Sequence, residues 1–278
     1  SGYNLEIGIT TDIEATIKEE GEIVVSAKLF LDIVRRLPEE IVFIETDERM
    51  VTYIACGKVN YQIVGMSSVE YPDLPSFEQT DRITLNAKIL RDMIRQTVYA
   101  VSENTAKPIY TGSLYEIEDG VFKIIAIDGY RMAIRSENVD SESKNRFVVP
   151  GKTQHEVLKL LTDDEENTEI IIGQRHITFK IKNYRIISRL IEGTFIEYKS
   201  AIPKETKTEV VINTRTIIDA VERMSLLNND RIQSPVRCIF SDDEIKLSCT
   251  SAVGRANDVI SVPIIGESVE IGFNNRYL

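Results

Sequence analysis

A strand–turn–strand signature that recurs at a near-constant interval constrains this chain more than any other feature. Its clearest copy is Ile124–Arg135, IIAIDGYRMAIR. Ile124–Ile127 is a short apolar run and Asp128-Gly129 is a turn pair. Tyr130, Met132 and Ile134 then alternate with Arg131, Ala133 and Arg135 at the period of a strand. Asn4–Ile9 has the same shape 124 positions earlier, counted from Asn4 to Asp128, and Ser251–Ala256 has it 123 positions after Asp128. Val24–Lys28 resembles Val148–Lys152 and Tyr71 falls against Phe195, both at 124, while Asn86–Asp92 resembles Asn213–Asp219 at 127. Changes in loop length account for the drift. Self-similarity at a fixed interval means one structural unit used repeatedly.

The spacing divides the chain into the second half of one repeat (1–80), a complete repeat (81–205) and the first half of a third (206–278). Periodicity predicts helices over Ala27–Leu37, Ala87–Ser102, Lys152–Leu161 and Thr214–Leu227, with Asn86 as an N-cap. Strand-like runs fill most of the remainder, among them Ile23–Val25 and Val210–Ile212. Proline-bearing Ser67–Thr80 and Gly193–Lys204 read as extended linkers in matching places. A whole repeat is two strand–helix–strand halves, so the fold class is α+β with repeated domains.

The bases have a pattern that the net charge of −11 hides. On a helical wheel Lys88, Arg91 and Arg95 fall within about 60° of one another, with Ile89, Leu90, Met93, Ile94, Thr97 and Val101 opposite. Lys28 and Arg35 repeat the plan, Lys152 and Lys159 occupy the same two positions 124 residues on, and Arg215 matches Lys88 at 127. Ile218 and Glu222 replace the counterparts of Arg91 and Arg95 in the third repeat. For one helix a solvated face is the simpler reading. Recurrence at matched positions points instead to a phosphate backbone read without regard to sequence.

Signs of catalysis or a cofactor are few. The two histidines, His155 and His176, do not form a zinc-protease helix, and there is no phosphate-binding glycine loop or cysteine pair at metal spacing. Asp242-Asp243-Glu244 and Asp163–Glu166 read as a hairpin turn and a helix end. No cofactor or metal is expected. No apolar run approaches the ~20 residues of a membrane span, and Ser1–Ile13 does not read as a secretory leader. Three scattered cysteines, Cys56, Cys238 and Cys249, fit a reducing cytoplasm. The reading from another class is a metal-dependent nuclease or polymerase subunit, which needs carboxylates converging on a cleft.

Ile94–Ser102 (IRQTVYAVS), Ile127–Arg135 (IDGYRMAIR), Arg146–Lys152 (RFVVPGK), Ile187–Phe195 (ISRLIEGTF) and Glu270–Leu278 (EIGFNNRYL) together resemble the bacterial DNA polymerase III β subunits, the sliding clamps. The likeness runs in order from Asn4 to Leu278. It implies sliding-clamp domains with helices lining the inner face of a ring and antiparallel sheets outside. The function implied is non-catalytic: a replication processivity factor, encircling duplex DNA. Its expected partners are the polymerase III α subunit, the clamp loader and other proteins with clamp-binding motifs, in a bacterial cytoplasm. The DNA-facing set is then Lys28, Arg35, Lys88, Arg91, Arg95, Lys152, Lys159 and Arg215. The partner-peptide pocket carries over to Tyr110, Ile127, Gly129, Tyr130, Arg131, Met132, Ile196, Ser200, Ala201, Asn274 and Tyr277. Tyr130 stands where the family usually has histidine, Ile196 where it has proline, and Ser200 where arginine is common. The family forms a head-to-tail homodimer, joined by an edge strand of the first domain and one of the third. With only half of each such domain, the chain by itself is expected not to close that ring.

Overall fold

The computed structural model describes residues 1–75, 81–162, 166–227 and 234–278. It has two compact units, Ser1–Phe195 and Ile196–Leu278. In chain order the first unit contains β1 (Gly2–Tyr3), β2 (Ile7–Thr11), α1 (Ala27–Val34), β3 (Val42–Thr46), β4 (Val51–Cys56), β5 (Val59–Val64), β6 (Asp81–Asn86) and α2 (Ala87–Arg95). It continues with β7 (Gly112–Glu118), β8 (Val121–Ile127), β9 (Met132–Asn138), β10 (Asn145–Pro150), α3 (Gly151–Leu160), β11 (Asn167–Ile172), β12 (His176–Ile181) and β13 (Tyr184–Arg189). The second unit contains β14 (Thr208–Val210), α4 (Thr214–Ser225), β15 (Val236–Ser241), β16 (Glu244–Ser251), β17 (Gly254–Ser261), β18 (Ile264–Gly266) and β19 (Val269–Phe273).

Every strand pair between these elements is antiparallel. The first unit holds a six-stranded sheet β1-β2-β13-β12-β11-β6, a four-stranded sheet β10-β7-β8-β9 and a three-stranded sheet β3-β4-β5. The second holds β17-β16-β15-β19 and the short pair β14-β18. One continuous core joins the six- and four-stranded sheets to α2 and α3, which pack on each other. Leu90, Met93 and Ile94 supply the buried face of α2, while Ile170, Phe179 and Ile186 come from one sheet and Tyr115, Ile117 and Phe122 from the other. Smaller cores lie under α1, around Ile33, Ile54 and Ile63, and under α4, around Met224, Cys238 and Leu247.

The internal repeat is visible in backbone pairing. Tyr3 pairs with Gly8 as Ile127 pairs with Met132, both shifted by 124. The isolated bridges Val24–Met66 and Val148–Ile191 also correspond. Ile127 opposite Met132 and Thr250 opposite Arg255 extend the correspondence to the third repeat at 123. The first repeat does more than stand beside the second, since β2 pairs directly with β13 and completes the central sheet.

Several elements are shorter than periodicity predicts. The helix expected to reach Ser102 ends at Arg95, because the Thr97 hydroxyl donates to the Met93 carbonyl at 2.8 Å and closes the last turn. A separate 3-10 turn, Val98–Ala100, follows. Ile23–Val25 forms only the Val24 bridge, and the strand expected at Val210–Ile212 is Thr208–Val210. Of the acidic stretch Asp163–Glu166, residues 163–165 lie outside the described residues. Asp242 and Asp243 form the β15–β16 turn with φ of 53° and 56°, a left-handed pair suited to a two-residue hairpin, and the Asp243 carboxylate accepts the Ile264 N–H at 3.0 Å. Cys238 lies opposite Leu247, so Cys238 and Cys249 are diagonal neighbours, both free thiols whose pKa values are raised by burial.

Tyr115 is fully buried, edge-on to Phe122 at 5.4 Å and tilted to Phe147 at 5.8 Å, and its hydroxyl has no hydrogen-bond partner among the described residues. Burial drives that hydroxyl's pKa far above the ordinary tyrosine value. A buried unsatisfied group costs about 1–3 kcal/mol. Tyr115→Phe keeps the ring packing and removes that cost, so we expect about 1 kcal/mol of added stability. Urea titration should show a higher midpoint at unchanged slope.

Candidate nucleic-acid and peptide interfaces

The second residue of each of the four α-helices among the described residues is a base: Lys28, Lys88, Lys152 and Arg215. All four are exposed, and none of these helices has an acidic residue in its first turn. A helix N-terminus behaves as a partial positive charge, so a cation there costs about 0.3–1 kcal/mol. Helix stability therefore argues against every one of these residues. Side-chain oxygens of Ser26, Asn86 and Asn213 cap α1, α2 and α4, while α3 starts after Pro150 without a side-chain cap.

The later bases differ among themselves. Arg35, at the end of α1, is exposed; Arg95 is exposed and 3.3 Å from Asp92; Lys159 is exposed and 2.8 Å from Glu156. Lys152 lies 3.8 Å from Glu6, and Arg215 lies 2.8 Å from Asp219. Among the described residues Lys28, Arg35 and Lys88 have no carboxylate within ion-pair distance. Arg91 sits at the margin of its face with a side chain only 20% exposed, 3.7 Å from Asp92, and is the least available of the eight.

The Asp128–Met132 turn is built by its own side chains. The Asp128 carboxylate accepts the N–H groups of Tyr130 at 2.9 Å and Arg131 at 3.0 Å, and Gly129 takes the left-handed φ of 94°. The Arg131 guanidinium donates to Asp128 at 2.9 Å and to the Tyr99 carbonyl at 2.6 Å, and lies over the Tyr99 ring. Ala100, Ala126 and Ala133 pack beneath this contact. The 3-10 turn after α2 thus braces the loop, and Tyr130 is left 85% exposed. Tyr99 is a neighbour of this candidate turn that motif reasoning missed; it stands in the IRQTVYAVS stretch but has no signal linking it to a turn 32 residues away. Tyr110 stacks edge-on against Phe195 at 5.6 Å in the same unit, with Ile127 and Met132 half-buried at the ends of β8 and β9.

In the second unit, Ser200 and Ala201 belong to a 3-10 turn, Tyr198–Ala201, where the Ser200 hydroxyl donates to the Glu197 carbonyl at 2.7 Å. Ile196 and Tyr277 are exposed. Asn274 holds a terminal turn, its side chain accepting the Arg276 N–H at 3.0 Å and its carbonyl the Tyr277 N–H at 3.0 Å.

Comparison with known proteins agrees with this geometry. Profiles of the DNA polymerase III beta subunit match in sequence order: its N-terminal domain at 1–75, central domain at 84–197 and C-terminal domain at 199–278. The beta sliding clamp of Halalkalibacterium halodurans is 34% identical over 98% of this chain and 73% of its own length. That of Bacillus subtilis is 34% identical over 95% and 71%. The crystal structure of the Bacillus subtilis DNA polymerase sliding clamp superposes with a TM-score of 0.94 at 33% identity, covering 98% of this chain and 75% of that one. The beta subunit from the DNA polymerase of Streptococcus pyogenes superposes with a TM-score of 0.92 at 27% identity, covering 98% and 75%. A repeat of antiparallel sheets with bases at each helix start, aligned to relatives one-third identical over almost its whole length, belongs to the DNA polymerase III beta-subunit family, the bacterial sliding clamps.

Proposed function

We propose that this chain is the processivity clamp of a bacterial replisome. It encircles duplex DNA, performs no chemistry of its own, and tethers the polymerase III α subunit, the clamp loader and other peptide-bearing partners in the cytoplasm. The observation that carries the reading is the base at position two of all four α-helices, where the helix dipole disfavours it. Such bases meet phosphates and carry no sequence information. Replacing Lys28, Lys88, Lys152 and Arg215 by Gln should weaken retention equally on unrelated duplexes. The log–log salt slope should fall by about 0.9 for each phosphate no longer neutralised. Thermal stability should hold, because the dipole no longer opposes a cation. Unchanged retention would show that these bases do not face DNA.

Partners dock at the second turn in this reading, as an extended peptide with apolar anchors beside Ile127 and Met132, with Tyr130 on the rim. Arg131 acts there as a positioning residue, since its guanidinium already holds Asp128 and the Tyr99 carbonyl. Met132→Asp would desolvate a charge on binding, at a cost of several kcal/mol. Fluorescence polarisation with a clamp-binding peptide should show affinity lost in that variant, and equal affinity would remove the turn from the site.

Ring closure in this reading uses two of the sheet edges, β5 and β17. By the repeat, β17 corresponds to β2 and β5 to β13, and β2 pairs with β13 inside the chain with Ile9 opposite Ile186. The same register between two copies sets Ala256 of one opposite Tyr61 of the other. This reading takes both strands of the joint from within the chain, where the sequence reading expects no closure by the chain alone. Oxidising a Tyr61→Cys/Ala256→Cys variant should give a cross-linked dimer on a non-reducing gel. Cross-linking no greater than in a Tyr61→Cys/Ser261→Cys control would reject the register.

A further inference from the structure

Each of the four N-terminal bases has an acid four residues later: Asp32 after Lys28, Asp92 after Lys88, Glu156 after Lys152 and Asp219 after Arg215. The repeat relates α1 to α3 and α2 to α4, but agreement between the two pairs does not follow from it. Residues four apart on a helix share one face, with about 5–6 Å between their Cβ atoms. The four acids are part-exposed, their side chains between 28% and 48% accessible, so no core packing requires them.

Three of them are occupied with bases of that same face. Asp219 holds Arg215 at 2.8 Å, Glu156 holds Lys159 at 2.8 Å, and Asp92 stands 3.3 Å from Arg95 and 3.7 Å from Arg91. Asp32 lies 3.8 Å from Arg36, which follows α1 and is outside the DNA-facing set. Asp32–Arg36, Asp92–Arg95 and Glu156–Lys159 place acid before base, which suits a helix; Arg215–Asp219 and the base at position two of each helix do not. An acid placed before its base is the better arrangement, and an acid at position two would suit the dipole. Exchanging Arg215 and Asp219 would favour α4 on both counts, yet the pair has the opposite order.

We infer that Asp32, Asp92, Glu156 and Asp219 are brakes on DNA affinity. Asp92, Glu156 and Asp219 compete with phosphate for the bases they hold, and all four acids repel the phosphate that the bases attract. A ring held by topology gains nothing from a tight grip, and a tight grip opposes sliding from one set of phosphates to the next. The inference deepens the clamp reading and rests on it.

The test is fluorescence anisotropy of the full chain on a mixed-sequence duplex across a salt series. It compares the parent, the four-Gln variant of the bases, and an Asp32→Asn/Asp92→Asn/Glu156→Gln/Asp219→Asn variant. The acid variant should bind about tenfold tighter, the scale of four exposed charge pairs, with a steeper salt slope as the released bases take phosphates. Affinity within twofold of the parent, in a variant with an unchanged urea midpoint, overturns the inference alone. If the four-Gln variant also binds like the parent, the face assignment fails and this inference falls with it. Should the quadruple acid variant not fold, Asp219→Asn by itself carries the test on the surface of α4, with about twofold tighter binding expected from one exposed pair. No change there is equally an overturning result.

Discussion

The rest of this structure depends on how sheet edges are satisfied. An unpaired edge is a row of N–H and C=O groups that seeks another strand. β13 would be such an edge if Ile7–Thr11 did not pair with it in register from Ser188–Ile7 to Tyr184–Thr11. Ile7 and Ile9 then pack against the core that lies under β13, so one strand meets both a hydrogen-bonding and an apolar need. A strand of one repeat completes the sheet of the next. This explains why residues from the start of the chain belong to the same compact unit as the central repeat. It also gives a rule for assembly, because every repeat joined this way leaves an edge suited to the equivalent strand of another.

The charges obey a different logic from the core. The core is locally consistent: apolar positions recur at strand and helix periods, and Asn or Ser caps three helices where an N–H needs an acceptor. The outward faces break local rules repeatedly and in the same way, with a cation at the start of each helix and an anion one turn on. A conflict of about 0.3–1 kcal/mol per helix is small beside core burial and persists without endangering the fold. Repeated four times, it is better explained by what the faces meet than by what they stabilise. A net charge of −11 does not oppose this reading, since the acidic excess can lie elsewhere on the surface while bases concentrate on the helices.

Much of this was legible in sequence. The strand that follows the turn, the turn at Asp128-Gly129 and the register of Val24 against Val148 follow from side-chain period and turn chemistry, which are local, although the strand starts at Met132 and buries Ala133 and not Ile134. The end of α2 was not legible, because periodicity continues through Val101 while a single hydroxyl, that of Thr97, diverts the Met93 carbonyl. The half-burial of Arg91 was invisible to a helical wheel, which ranks angles and not the height of neighbouring side chains. The bond from Arg131 to Tyr99 spans 32 residues, and the pairing of β2 with β13 spans more than that. Neither has a local signal; only the repeat hinted that such distant segments answer to one another.

The repeat also shows why one turn of the three is held more firmly than the other two. All three are held by a capping side chain at the same position: Asn4 accepts the N–H of Ile7 at 2.7 Å, Asp128 that of Arg131 at 3.0 Å, and Ser251 that of Val253 at 3.3 Å. The position three residues on is Ile7 in the first, Arg131 in the second and Gly254 in the third. Only the guanidinium can reach both a carboxylate and a carbonyl, and so pin its loop to the segment that follows α2. In the first turn, Ile7 is committed to the core and the Tyr71 hydroxyl closes over the backbone N–H of Tyr3 at 2.5 Å. The third turn has neither an arginine nor a comparable aromatic at these positions. An exposed loop offers a defined surface only when its backbone is held before the partner arrives. Among three turns of common design, the second meets that condition through a single arginine.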